Sequence, residues 1–297
     1  MNTSFEEKLL ALHYVFPVPL NRIQSLLERD PTLDYVEKMS IPQLASVLKL
    51  SYDRSKRLQL AYAKSLQTSL LSAYQKHSIY PISYFHSNYP ISLKRLYDPP
   101  GFLYAKGQIS YLNESKFVAI IGSREAGSYS KLAMKFIIPP LVNEGAVIVS
   151  GMAKGADTFA HKETDLLGGK TIGVLGHGFF HQYPKENAAL FTSFAEKQLL
   201  ITEYPPYVGP KKWTFPLRNR IISGLSQLVI VTEAKEKSGT VSTMQHALDN
   251  GKEVFCVPGP ISSPLSIGPH QLLLEGAKPI WNGYQAVLEL QNSSFEK

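Results

Sequence analysis

From Tyr204 to Arg220 the sequence reads Tyr-Pro-Pro-Tyr-Val-Gly-Pro-Lys-Lys-Trp-Thr-Phe-Pro-Leu-Arg-Asn-Arg, and no Asp or Glu occurs between residues 204 and 232. Lys211, Lys212, Arg218 and Arg220 are interleaved there with Tyr207, Trp213 and Phe215. Cations spaced along a segment can track a phosphate backbone, and rings set among them can stack on bases, so the mixture suits an unpaired nucleic-acid strand. The plainer use of such a loop is to cover the core with its rings and pair its arginines with carboxylates. That plainer role is expected for Trp213 and for one of the two arginines. Four cations without a local carboxylate still need anions from elsewhere.

A second group of residues sits where short apolar runs end: Gly122-Ser123-Arg124, the 150–155 run with Gly151, Lys154 and Gly155, then Gly176 and Gly178, Glu203, Glu233, and Pro258-Gly259. Glycine lets backbone approach a ligand closely, free N–H groups attract anions, and Arg124 adds a planar donor fork suited to phosphate. Several such loops on one sheet edge point to a phosphate site. Gly168-Gly169-Lys170-Thr171 ends like a Walker A loop, but Thr164 replaces the first glycine and the run precedes a strand, which disfavours ATP. Gly176, Gly178 and His181 fall one glycine short of a dinucleotide fingerprint, with Glu203 as a weak ribose-binding acid. His177 and His181 lie among glycines rather than on a helix face, so they do not read as metal ligands. No G-x-S-x-G elbow surrounds Ser150, His161 reads as packing or capping, and Glu203 with Glu233 is a minor acid/base alternative.

The elements that must position these residues divide at a sharp boundary. All 20 glycines lie at or after Gly101. A glycine-free stretch favours helices, and Ser4 with Glu7 and Ser40 with Gln43 fit capping boxes, the second with Pro42 in the first turn. Residues 1–76 are therefore expected to form a small all-α domain of four or five helices. Residues 77–116, rich in Tyr, Phe and Pro, read as a connector packed on the domain after it. From Phe117 the chain alternates β-branched runs at 117–121, 146–149, 171–175, 199–202, 228–232 and 253–257 with helical stretches. Unbroken apolar runs indicate strands buried on both faces. The fold class expected is α/β, a doubly wound, mostly parallel Rossmann-like sheet spanning 117–291 with a tail at 292–297.

Composition narrows the class further. The 44% hydrophobic content is that of a globular protein. The single cysteine, Cys256, cannot form an internal disulfide and lies in an apolar run, which suits a buried structural thiol in a reducing compartment. No run approaches the roughly 20 apolar residues of a membrane span, and the acidic start at Glu6 and Glu7 is unlike a signal peptide, so a cytoplasmic protein without membrane insertion is expected. The net charge of +7 leans toward polyanionic partners.

Taken in order, the specific segments are Gly122-Ser123-Arg124; the 150–157 run with Ala160-His161; the 169–175 run leading to Tyr183-Pro184; Phe215-Pro216-Leu217-Arg218-Asn219-Arg220; Ser238-Gly239-Thr240; and Val257-Pro258-Gly259. Over about residues 80–290 they resemble the DNA-processing protein A family (DprA/Smf). That resemblance implies a homodimeric Rossmann-like protein that binds single-stranded DNA entering during natural transformation, protects it, and loads the RecA recombinase. Other single-strand-binding and competence proteins are further implied partners, and no cofactor, metal or catalysis is implied. It places Ser123, Arg124, Lys212 and Phe215 in the DNA pocket, with Arg218 and Arg220 nearby. With the loop readings, the candidate DNA-contacting set is Gly122, Ser123, Arg124, Gly151, Lys154, Gly155, Lys211, Lys212, Phe215, Arg218, Asn219 and Arg220. The front helices would match the family's sterile-alpha-motif-like domain. Ser130 and Thr202 depart from the family's usual glycine and serine, and no winged-helix domain is expected after the last helix. A related nucleotide-hydrolase branch uses a longer glycine loop of which Ser238-Gly239-Thr240 retains only part, which disfavours an enzyme.

Overall fold

The computed structural model describes residues 3–236 and 251–295; the Ser238-Gly239-Thr240 motif lies outside the described residues. The six β-branched runs become β3 (Phe117–Ile121), β4 (Val147–Gly151), β5 (Thr171–Val174), β6 (Leu199–Thr202), β7 (Leu228–Val231) and β8 (Glu253–Cys256). Neighbouring members of this set pair in parallel. Successive side chains of a strand point to opposite faces, so an unbroken apolar run feeds two cores. Phe117, Ala119 and Ile121 of β3 join Val229 and Val231 of β7 on one face. Val118, Ile120, Leu228 and Ile230 join on the other.

Helices close both faces. α10 (Thr214–Leu225) covers the first with Ile221, Ile222 and Leu225, aided by Leu272 of α11 (Ile267–Leu274). α7 (Ser128–Asn143), α8 (Ala156–Leu166) and α12 (Tyr284–Phe295) cover the second, while α9 (Ala188–Lys197) sets Phe191 and Phe194 beside Leu200 of β6. Cys256 is buried, and desolvation pushes its thiol up to about 12.

With β1 (Tyr80–Ser83), β2 (Phe102–Gly107) and β9 (Lys278–Pro279), the strand order is β1-β2-β6-β5-β4-β3-β7-β8-β9. From β3 the chain steps outward through β4, β5 and β6, then crosses back to β7 on the other side of β3 and continues to β8 and β9 (Lys278–Pro279). This reversal defines a doubly wound sheet and gathers the loops at the carboxyl ends of its strands. The sheet is thus α/β and mostly parallel.

Two further strands come from the aromatic connector. β1 (Tyr80–Ser83) and β2 (Phe102–Gly107) pair antiparallel, and β2 pairs antiparallel with β6. Pro81 lacks an N–H for a second neighbour, which suits the edge position of β1. Between the two strands, α6 (Ile91–Lys94) and the turn after it set Leu93 and Leu96 against α10, where Gly224 leaves room: a Cβ there would stand 3.0 Å from Leu93 Cδ2.

The front of the chain folds into α1 (Phe5–Val15), α2 (Gln24–Arg29), α3 (Ile41–Leu48), α4 (Tyr52–Leu66) and α5 (Leu70–Gln75). Both expected capping boxes form, at Ser4 with Glu7 and at Ser40 with Gln43. Leu9, Leu12, Leu26, Leu44, Leu48 and Tyr62 make the helical core. Phe102 and Tyr104 of β2 belong to that core, whereas the alternating Leu103 and Ala105 belong to the sheet core.

His13 of α1 lies in this seam, its Nδ1 sharing a 3.0 Å hydrogen bond with the Tyr104 hydroxyl. Burial holds the imidazole neutral, pushing its pKa down to about 3. The unfolded chain therefore takes up a proton near pH 6.5 that the folded chain refuses, so the stability held above pH 6.5 is lost as pH falls toward 3. Lowering pH from 7 to 5 is expected to remove about 2 kcal/mol through His13 alone. Urea unfolding at both pH values checks this: the difference should shrink in His13→Gln, and an unchanged difference would clear His13 of the effect.

Candidate nucleic-acid interface

The loops after β3, β4 and β5 meet over a cavity of about 240 Å³. Arg124 follows β3, Met152, Ala153 and Lys154 follow β4, and Leu175, Gly176 and His177 follow β5; Tyr183 and Pro184 close one side, Phe215 and Arg218 of α10 another. The guanidinium of the exposed Arg124 stands 5.5 Å from the centre of the Phe215 ring, a cation–π distance. Tyr183 meets the same ring at 5.3 Å, tilted by 43°. Gly176 makes room for it, since a Cβ there would stand 2.9 Å from Phe215 Cδ1.

Glycine is also required behind the cavity. A Cβ on Gly151 would stand 2.3 Å from Asp157 Oδ2 and 2.5 Å from Arg218 Nη2, so the two charged groups converge on bare backbone. The Arg218 guanidinium is buried and donates to the Val174 carbonyl and to Asn219 Oδ1, the latter at 3.2 Å. Burial pushes Asp157 up, against the pull of Arg218, and burial pushes Arg218 down, against Asp157. Arg218 nonetheless keeps its proton, and a desolvated cation is a stronger partner for an anion than one in water. Gly155 takes a left-handed φ of +73°, and a Cβ there would stand 2.4 Å from the Ser123 carbonyl. That contact joins the β3 and β4 loops. Glu233 accepts from the Gly127 N–H at 3.0 Å and steadies the turn after Arg124.

The loop from 204 to 213 lies beside this wall. His181 Nε2 is 2.9 Å from the Tyr207 carbonyl, and a Cβ on Gly178 would stand 2.0 Å from the Pro205 carbonyl. Gly178 therefore serves loop packing rather than a pyrophosphate. Because no helix begins until residue 185, the dinucleotide alternative loses its helix N-terminus. His177 is buried, its Nδ1 3.0 Å from the Gly178 carbonyl and Nε2 3.3 Å from the Tyr183 carbonyl, and burial lowers its pKa. His161 is fully buried, with Nε2 2.6 Å from the Gly151 carbonyl, and burial lowers its pKa to about 4. It fixes the end of β4, as the packing reading expects.

The twelve candidates thus separate. Arg124, Lys154, Phe215 and Arg218 line the cavity, with Lys154 also paired to Glu186. Gly122, Ser123, Gly151 and Gly155 shape the loops behind it, and Asn219 orients Arg218. Lys211 and Lys212 are exposed in the loop before α10 and do not line the cavity, Lys211 with its ammonium 5.6 Å from the Trp213 ring centre. Arg220 turns the other way. Its Nε reaches Asp98 at 2.9 Å and its Nη2 reaches Glu203 at 2.6 Å, at only 3% side-chain exposure. It is the arginine that finds an ion pair. Trp213, expected over the core, is instead 54% exposed, meeting Tyr204 edge-on at 6.3 Å.

A family model described as DNA recombination-mediator protein A matches residues 81–291. The chain belongs to that family. It is 42% identical to the DNA processing protein DprA of Bacillus subtilis over 227 residues, 76% of either chain. It is 43% identical to DprA of Streptococcus pneumoniae over 203 residues, 68% of this chain and 71% of that one. Among solved structures, the X-ray structure of Streptococcus pneumoniae DprA superposes with a TM-score of 0.80 at 34% identity, covering 97% of this chain and 99% of that one. DNA processing protein A of Helicobacter pylori, described for its single-stranded DNA binding mode, gives 0.65 at 32% identity over 72% of this chain and 96% of that one.

For this member of the recombination-mediator family, sequence reasoning left Met152, Asp157 and Leu175 out of the candidate set, although they lie in the 150–157 and 169–175 runs that carry the resemblance. Tyr183 and Pro184 were marked only by the family resemblance. Asp98, the partner of Arg220, lies 122 residues away from it in the chain. Burial raises Glu203 against the pull of Arg220, and Glu203 with Asp98 outweighs the cost of burial on Arg220, which is raised. Arg220→Ala would leave Glu203 buried without its cation and is expected to cost about 3–5 kcal/mol of stability. Arg124→Ala, on an exposed side chain, should stay within about 0.5 kcal/mol of wild type. Comparing their urea midpoints tests the division; equal midpoints would reject a structural role for Arg220.

Proposed function

We propose that the cavity and its approach bind single-stranded DNA without sequence preference, and that the protein is a non-catalytic recombination mediator. The observation that carries this reading is Arg124 set over Phe215 at the wall of a cavity that also holds the buried Arg218. Charge for phosphate and a ring for a base stand within one nucleotide's reach, which duplex DNA cannot use because its bases are already stacked. Lys211 and Lys212 extend the positive track outside the cavity. The candidate carboxylates for acid/base work have other partners, Glu203 on Arg220 and Glu233 on Gly127, and neither lines the cavity. By family resemblance, the protein works in the cytoplasm as a homodimer, protects DNA taken up in natural transformation, and loads RecA onto it.

Fluorescence anisotropy with labelled oligonucleotides tests the site. Arg124→Ala and Lys212→Ala should each weaken single-strand binding and flatten the slope of log affinity against log salt by about 0.7. Phe215→Ala should cost about 1–3 kcal/mol and leave the slope unchanged, because stacking releases no counterion. Binding a blunt duplex of equal length as tightly as the single strand would sink the reading.

A further inference from the structure

The helical front of the molecule carries a second groove. Val15 and Phe16 at the end of α1 face Leu50, Leu58, Arg54 and Arg57 around a cavity of about 370 Å³. Residues 54, 57 and 58 share one face of α4 by helical spacing. Both arginines are exposed, and neither has a carboxylate partner among the described residues; Arg57 donates only to the Asp53 backbone carbonyl, at 3.3 Å. An apolar floor edged by two unpaired guanidinium groups suits a ligand that is flat and apolar on one side and anionic on the other.

This groove adjoins the 204–213 loop. Tyr14, the residue before Val15, meets Tyr207 edge-on with ring centres 4.9 Å apart, and the Tyr207 hydroxyl donates to the Tyr14 carbonyl at 2.5 Å. On its other side Tyr207 is tied through its carbonyl to His181, two residues from the cavity-lining Tyr183. Between Tyr207 and the cavity-lining Phe215 in the chain, the same loop exposes Lys211, Lys212 and Trp213. Tyr207 itself is 43% exposed. Cations and rings thus follow one another along a loop that touches the end of α1 beside the groove and leads into the cavity wall at Phe215.

We propose that the Arg54–Arg57 groove is a second single-stranded DNA subsite, which takes the segment of strand leaving the main cavity over Lys211, Lys212 and Tyr207. Arg54 and Arg57 hold phosphates while the apolar floor beside Phe16 receives a base. The proposal rests on the cavity being the primary DNA site. An acidic protein segment would also suit the two arginines and the loop lysines, but it would make no use of the exposed rings of Tyr207 and Trp213 as stacking surfaces.

The test uses the full chain and two oligothymidylates, one of about 5 nucleotides that fits a single site and one of about 20 that can reach both. In the double variant Arg54→Ala with Arg57→Ala, affinity for the short strand should be unchanged. Affinity for the long strand should fall roughly tenfold, with a salt slope flatter by about 1.4, twice the contribution of one phosphate contact. Arg54→Lys with Arg57→Lys should restore the slope. Melting temperature confirms that both variants are folded. Long-strand binding identical to wild type in affinity and slope overturns the subsite while leaving the cavity in place. Failure of wild type to bind either strand overturns both. A poly-glutamate peptide that binds wild type and not the alanine variant, with long-strand DNA unaffected, would assign the groove to an acidic protein partner instead.

Discussion

Everything at the candidate site depends on how α10 is seated, and one buried ion pair seats it. Arg220, almost wholly out of water, joins the buried Glu203 just after β6 and the half-buried Asp98 in the connector. Taking such charges out of water is costly, and only close geometry with both partners offsets it. The pair therefore fixes the helix rather than adding much net stability. Two residues earlier, on another side of the helix, Arg218 is aimed at Gly151, and three residues before that Phe215 forms the cavity wall. A small rotation of α10 about its axis would break the pair and misdirect both groups.

Burial and the absence of side chains work together around that seat. Gly151, Gly155 and Gly176 each lie where a Cβ would collide with a neighbouring group. The loops after three strands can therefore close over the carboxyl edge of the sheet while the charges of Arg218 and Asp157 stay desolvated behind them. The exposed part of the site is left to longer and freer side chains, Arg124 and the 211–212 lysines.

The parallel strands were legible because burial on both faces demands unbroken β-branched runs, and 117–121 or 228–231 admit little else. β1 and β2 were not: prolines and aromatics disguise an antiparallel edge, whose pairing is a long-range property. The cations of 204–220 were legible as a set, but not which of them would face a ligand. Arg220 had no carboxylate within its own segment, and nothing in linear spacing points to Asp98. Trp213 was misjudged because a large ring is usually core, whereas here Thr214, next to it, is the buried residue that ties back to Lys211. The cavity wall drew on residues such as Met152 and Leu175, which look like ordinary packing until the loops are folded.

The two-sided use of β2 reaches beyond the site. Because Phe102 and Tyr104 serve the helical core while Leu103 and Ala105 serve the sheet core, the two halves of the chain have no clean seam between them. Removing the first 76 residues would strip one face of a strand that the remaining sheet still needs, leaving two large rings bare to water at a sheet margin. Such surfaces invite self-association. The front helices and the sheet should accordingly melt as one cooperative unit.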